Sequence, residues 1–225
     1  AVMVRGEAAW SFTVMFIQMW EWKSKQLNNY EKYKPDFQSF PAAEGYVMPY
    51  GDSPTDNENV GELVYLDIIN KAKKYVYITT PYLVIDNEMI TALGFAAKSG
   101  VDVKIVVPHI ADKWYVNYAG WNYYKELIKL GVQIYEYMPG FIHAKNFVSD
   151  DEIATVGSIN LDYRSLYLHF ECGTFLYKVP AISRIKSDFN DILGKCRRIT
   201  LKDCQQRPLI KKIIGGLLRM IAPLL

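Results

Sequence analysis

Between Asn57 and Tyr137 the chain alternates between two hydrophobic periods. Val64, Ile68 and Ala72 recur at helical spacing and predict a helix over Asn57–Lys73, with Asn57 as its cap. Tyr75–Thr79 is a β-branched and aromatic run, which predicts a strand. Asp86 is placed to cap a second helix, and Gly100 to end it. Val101–Val107 then predicts a strand, Asp112–Leu130 a helix closed by Gly131, and Val132–Tyr137 a further strand. Strands alternating with helices predict an α/β fold with a mixed, largely parallel sheet and helices on both faces.

The flanks follow other patterns. Ala1–Val4 resembles the end of a strand, and a helix is expected over Glu7–Asn28. Lys34–Asp56 is turn-rich, with Pro35, Pro41, Gly45, Pro49, Gly51 and Pro54 around a short strand at Tyr46–Met48. Downstream, Ala144–Ser149 and Ile153–Val156 flank Asp150-Asp151-Glu152, the pattern of a hairpin. A strand over Leu166–Tyr177 and a helix over Ala181–Cys196 follow. No linker divides the chain, so residues 1–225 are expected to form a single domain. In the tail, Leu209, Ile213, Leu217 and Ile221 recur every fourth residue beside Lys211, Lys212 and Arg219. This predicts an amphipathic helix over about 207–222, weakened by Gly215-Gly216, which either packs on the domain or docks on anionic lipid.

Composition narrows the partners. The chain has 225 residues, half of them hydrophobic, ample for a buried core. A net charge of +2 is not the basic excess of a typical nucleic-acid binder. The cysteines Cys172, Cys196 and Cys204 lack metal-ligand spacing, so a reduced, cytoplasm-facing chain without metal or cofactor is expected. The apolar run Ala8–Trp20 falls short of the roughly 20 residues a membrane span needs. The chain is therefore expected to be soluble, or to touch a membrane only at its surface.

The candidate chemistry lies in "FIHAKNFVSDDEIATVGSINLDYR", Phe141–Arg164. Residues two apart on a strand share a face, so His143 and Lys145 are expected to point the same way. Lys145 can hold a phosphate oxygen while the imidazole of His143 faces phosphorus. Gly157 permits close approach, and Ser158 and Asn160 can add neutral hydrogen bonds to the same phosphate. Such a cradle stabilises charge developing on an attacked phosphoryl group, and histidine can be the nucleophile. Asp150 differs: at about 3.3 Å per residue it lies roughly 20 Å from His143 along an extended strand. It is expected to organise the hairpin turn. Glu171, in "LHFECG", is the candidate for orienting the imidazole, with His169 on its face. Tyr82, after Pro81, is expected to be a buried strand-end tyrosine rather than a lining residue, and Phe141, just before the motif, is a candidate for contact with an acyl chain; neither is assigned to the site.

His143-x-Lys145-x4-Asp150-x6-Gly157-Ser158-x-Asn160 resembles the HKD signature of the phospholipase D superfamily. The segments "TTPYLVIDNEMITAL", "GVDVKIVVP", "GVQIYEY", "DYRSLYLHFE" and "RPLIKKIIGGLLRMIAPLL" narrow the resemblance to the C-terminal half of bacterial cardiolipin synthases. It implies a phospholipase D-like fold and a bilobed enzyme with one signature in each half. It implies metal-free joining of two phosphatidylglycerol molecules into cardiolipin and glycerol through a phosphohistidine, at the cytoplasmic face of the bacterial cell membrane. The implied catalytic set is His143, Lys145, Asp150 and Glu171, and the implied phosphate ligands are Lys145, Ser158 and Asn160. His109 and His169 begin no second signature, so the chain is expected to be a fragment supplying half of the site, inactive until it meets an N-terminal half. Two alternatives stay open. One is a homodimeric phosphodiesterase of the same superfamily acting on nucleic acid. The other is a non-catalytic domain that binds phosphate or lipid.

Overall fold

The structure is a computed structural model and describes residues 1–36 and 43–224. Pro41, part of the expected turn-rich connection, lies outside the described residues. Ala1–Val4 forms no strand. Helix α1 spans Glu7–Ser24 and ends at Lys25 in the left-handed conformation, with a 3-10 turn at Tyr30–Tyr33 beyond it. Strand β1 is Tyr46–Asp52 and helix α2 is Val60–Lys71. Asn57 has a φ of 62° and does not cap α2. That role falls to buried Asp52, whose Oδ2 accepts the Gly61 N–H at 2.7 Å and places a carboxylate at the positive end of the helix.

The alternating centre forms as its pattern predicts. Strand β2 is Tyr75–Thr79, β3 the short Leu83–Val84, α3 Asn87–Lys98 and β4 Asp102–Pro108. Asp86 caps α3 through the Met89 N–H at 2.7 Å. Helix α4, Trp114–Leu130, stops at Gly131, whose φ of 104° suits glycine, and leads into β5, Gln133–Tyr137. The hairpin follows as β6, Asn146–Ser149, and β7, Ile153–Gly157. A two-residue strand β8, Leu161–Asp162, precedes a short helix α5, Tyr163–Tyr167, capped by Asp162. Strand β9 is only Glu171–Tyr177, so Leu166 and Tyr167 are helical where a strand was expected. Helix α6 is Ala181–Leu193, β10 Cys196–Ile199, α7 Leu201–Gln206 and α8 Leu209–Met220.

The main sheet runs β1-β9-β7-β6-β2-β4-β5-β10. The expectation of a largely parallel sheet is corrected here. Only β2–β4 and β4–β5 pair in parallel, and every other neighbouring pair is antiparallel. The reason is connectivity: helical crossovers α3 and α4 join just those strands, and the hairpin and the edge strands add the rest antiparallel. The mixed α/β character and the helices on both faces hold. Residues of α2, α3 and α4 build the large core, where Tyr65 stacks on Phe147 with centroids 4.0 Å apart. On the other face α6 places Ile182 against Tyr75, Val148, Ala154 and Leu176, and Phe189 on Tyr77.

Candidate active site

The site gathers at one end of the central strands. Thr79, the last residue of β2, pairs with Asn146, the first of β6, and Gly157, the last of β7, pairs with Gly173 near the start of β9. Gly157 donates its N–H to the Lys145 carbonyl at 3.2 Å. A Cβ on Gly157 would stand 2.5 Å from the Cys172 carbonyl oxygen, so only glycine lets these strands close here.

His143 and Lys145 precede β6 in an irregular segment, not within a strand as the alternation predicts. His143 is exposed and lies against Phe141, ring centroids 5.3 Å apart. Lys145 is buried, and its Nζ donates to the His143 carbonyl at 2.8 Å. Burial lowers the pKa of His143 below its ordinary value, and the neighbouring Lys145 charge lowers it further. Burial also lowers Lys145, opposed by Glu171, Asp162 and Asp112. A neutral imidazole beside a buried ammonium suits attack on an anionic phosphodiester.

Behind this pair runs a polar chain. Asn160 Nδ2 donates to Ser165 Oγ at 2.8 Å, and Ser165 Oγ donates to Glu171 Oε1 at 2.9 Å. Ser158 Oγ donates to Glu171 Oε2 and accepts the Cys172 N–H at 3.0 Å. His169 Nδ1 stands 3.6 Å from Glu171 Oε1. Glu171 is thus bonded to Ser158 and Ser165, and among the described residues none of its hydrogen bonds reaches His143. The expected direct hydrogen bond between Glu171 and the imidazole is not made among the described residues; the carboxylate orders Ser158 and Ser165 instead. Asn160 Oδ1 is buried without a hydrogen-bond partner among the described residues.

Asp150, placed with the catalytic residues by resemblance, sits at the far end of β6 from His143. Its Oδ2 accepts the Lys73 N–H at 2.7 Å, and its Oδ1 accepts those of Lys74 and Tyr75, both at 2.9 Å. It therefore ties the hairpin turn to the start of β2, as the strand rise anticipates.

Two carboxylates near the site carry no local sequence signal. Asp112 accepts the Tyr82 hydroxyl at 2.6 Å, and Tyr82 faces Phe141 with centroids 6.3 Å apart. Asp162 is raised by burial, although the Ser165 N–H bonds it at 2.8 Å. Only their electrostatic reach to Lys145 ties both to the site. Among the described residues no group of His, Cys, Asp and Glu is arranged to hold a metal ion.

The same fold occurs in solved structures. A phospholipase D family member from Salmonella typhimurium superposes with a TM-score of 0.57 at 21% identity, covering 69% of this chain and 99% of its own. A phosphatidylserine synthase from Haemophilus influenzae gives 0.66 at 14% identity, covering 80% of this chain and 47% of its own. The fold is that of the phospholipase D class. Residues 65–193 match the family described as cardiolipin synthase, PLD-like domain, and the chain belongs to that family. Proteins named cardiolipin synthase from Alkalihalophilus pseudofirmus and a Geobacillus species are 33% and 35% identical over 99% of this chain and 44% of their own length. An uncharacterised protein from Streptococcus mutans is 49% identical over all of this chain and 49% of its length. The chain spans about half the length of the curated relatives it matches. No helix among the described residues is long and apolar enough to cross a membrane.

Proposed function

We propose that this chain supplies one half of a phosphatidyl-transfer site that joins two phosphatidylglycerol molecules into cardiolipin and glycerol. The observation that carries the reading is the exposed, deprotonation-prone imidazole of His143 set beside the buried ammonium of Lys145. In the reaction a ring nitrogen of one site histidine attacks the phosphodiester phosphorus. The bond to the departing glycerol oxygen breaks, and the histidine of the other half gives that oxygen its proton. The second phosphatidylglycerol then loses its hydroxyl proton to the same histidine, its oxygen attacks phosphorus, and the phosphorus–nitrogen bond breaks. Lys145 and the second N–H of Asn160 Nδ2 stabilise the charge on the phosphoryl oxygens, and Ser158 adds its hydroxyl once that proton turns from Glu171 to the phosphate. Glu171 holds Ser158 and Ser165 in place for this task. The family match and the relatives named cardiolipin synthase support this substrate class and a site of action at the bacterial cell membrane.

The test uses the longer protein of which this sequence would be half. His143→Ala is expected to abolish conversion of labelled phosphatidylglycerol while leaving thermal unfolding unchanged, since the imidazole is exposed. An alkaline quench of the wild-type protein should trap label on histidine. Full transfer by the His143→Ala protein would refute the reading. Phosphodiesterase action on DNA by the 225-residue chain alone, lost in His143→Ala, would overturn it in favour of a homodimeric nuclease.

A further inference from the structure

Helix α8 packs Leu218 and Gly215 inward and leaves a second apolar stripe facing outward. Leu209, Ile210, Ile213, Leu217 and Met220 are 71%, 72%, 56%, 60% and 80% exposed. Its cations turn inward onto α4. The Lys211 ammonium lies over the rings of Tyr118 and Trp121, 5.4 and 5.8 Å from their centroids. Arg219 bonds Glu126 at 2.6 Å. Just before the helix, the Arg207 guanidinium lies 4.0 Å from the Trp121 centroid and 3.0 Å from the Glu136 carboxylate.

Where α7 gives way to α8, a cavity of about 180 Å³ opens, walled in part by Trp121, Asn122, Lys125, Arg207, Lys211 and Lys212. Its volume is that of about six waters at roughly 30 Å³ each. Four cations line it and no carboxylate does, and it shares no lining residue with the His143 site. A further feature marks it as a seat for an anion. The N-terminus of α8 has no side-chain cap and no acidic residue in its first turn, and Lys211 and Lys212 sit there, at the positive end of the helix dipole. Arg207 adds its charge to the wall while held in place by Glu136 at 3.0 Å and by the ring of Trp121.

We propose that this cavity takes the phosphate of an anionic phospholipid, with the acyl chains lying along the outward face of Leu209, Ile210 and Ile213. Inorganic phosphate would satisfy the cations equally well. It would leave the outward apolar stripe of the same helix uncovered, and that stripe decides for a lipid. Helix α8 then lies in the membrane interface, held by an anchoring headgroup separate from the lipids that react.

Sedimentation of the 225-residue chain with vesicles tests this. The chain is expected to bind phosphatidylcholine vesicles containing phosphatidylglycerol and to bind pure phosphatidylcholine far less. Each basic residue near an anionic surface contributes about fivefold in binding, so Lys125→Gln with Lys212→Gln should weaken binding about 25-fold. Ile210→Ser with Ile213→Ser should weaken it at least about tenfold. These positions are exposed or half-exposed, and an unchanged melting temperature confirms that both variants fold. Equal affinity for the two vesicle types overturns the proposal, as does a lysine variant that binds like wild type. Inorganic phosphate or single-stranded nucleic acid binding at these lysines, without vesicle binding, overturns the lipid assignment.

Discussion

Asp150→Asn separates a structural from a chemical role for the third residue of the signature. Asp150 has a φ of 53°, in the left-handed region that asparagine tolerates equally, so the substitution leaves the backbone free to keep its shape. What changes is the set of acceptors. The carboxylate receives three backbone N–H groups, from Lys73, Lys74 and Tyr75. Asparagine can keep its oxygen on Lys74 and Tyr75, but its amide nitrogen then faces the Lys73 N–H, donor against donor. A hydrogen bond to a charged group contributes about 1.5–3 kcal/mol when shielded, and less here because the Lys73 and Lys74 amides are open to water. Losing one bond outright and the charge on two others should cost about 2 kcal/mol. With a urea dependence of about 2–3 kcal/mol per M, the unfolding midpoint should fall by on the order of 1 M. Urea unfolding of the wild-type and Asp150→Asn chains, followed by circular dichroism, measures it. An unchanged midpoint, together with lost transfer in the longer protein, would show that Asp150 belongs to the chemistry.

Two further measurements probe the site and the tail. By NMR titration His143 should take up its proton below the ordinary value of 6.5, and Lys145→Met should move the midpoint upward by removing the like charge; an unmoved midpoint refutes the coupling. Because the folded value lies below the unfolded one, the stability this histidine contributes is complete above about pH 6.5 and is lost as pH falls through the folded value. In α8, Gly215→Ala would place a Cβ 2.3 Å from the Tyr118 carbonyl oxygen, whereas Gly216→Ala meets nothing within 4 Å. The first should lower stability by about 1–3 kcal/mol and the second should raise it by up to about 1 kcal/mol, read as opposite shifts in melting temperature. Equal shifts would refute the close packing of α8 on α4.

The sequence was most legible where one period ran long enough to declare itself. Strand β2 matches the expected Tyr75–Thr79 residue for residue, and Asp86 and Gly131 bound their helices as their chemistry requires. Strand β10 escaped because "CRRI" is short and carries two arginines, a charged edge strand with no apolar alternation to reveal it. Helix α5 escaped because its Tyr and Leu residues suggest a strand, although Asp162 and Ser165 hold the spacing of an N-cap. The parallel bias of the expectation came from the crossover strands, which are the minority of the sheet. At the site, the spacing marked Lys145, Ser158 and Asn160 as candidates, and the structure shows Ser158 and Asn160 joined to Glu171, directly and through Ser165. Asp112 and Asp162 could not be found that way, since one lies in the connection before α4 and the other ends β8, and only the folded chain brings their charge within reach of Lys145.

The bond from Lys145 Nζ to the carbonyl of His143 has a consequence for counting protons. An ammonium has three N–H groups and no acceptor. One is spent on the main chain of His143, which leaves two for the phosphate that the proposed transfer would bring there. In the proposed site Lys145 is then a ruler: one arm holds the main chain of His143, and the others would fix where phosphorus rests. Arginine at this position would keep the charge, but its flat five-donor fork could not span the same two points at the same lengths. On the proposed transfer, position 145 would call for the tetrahedral shape of the ammonium, and with it the gap across which the new bond would form.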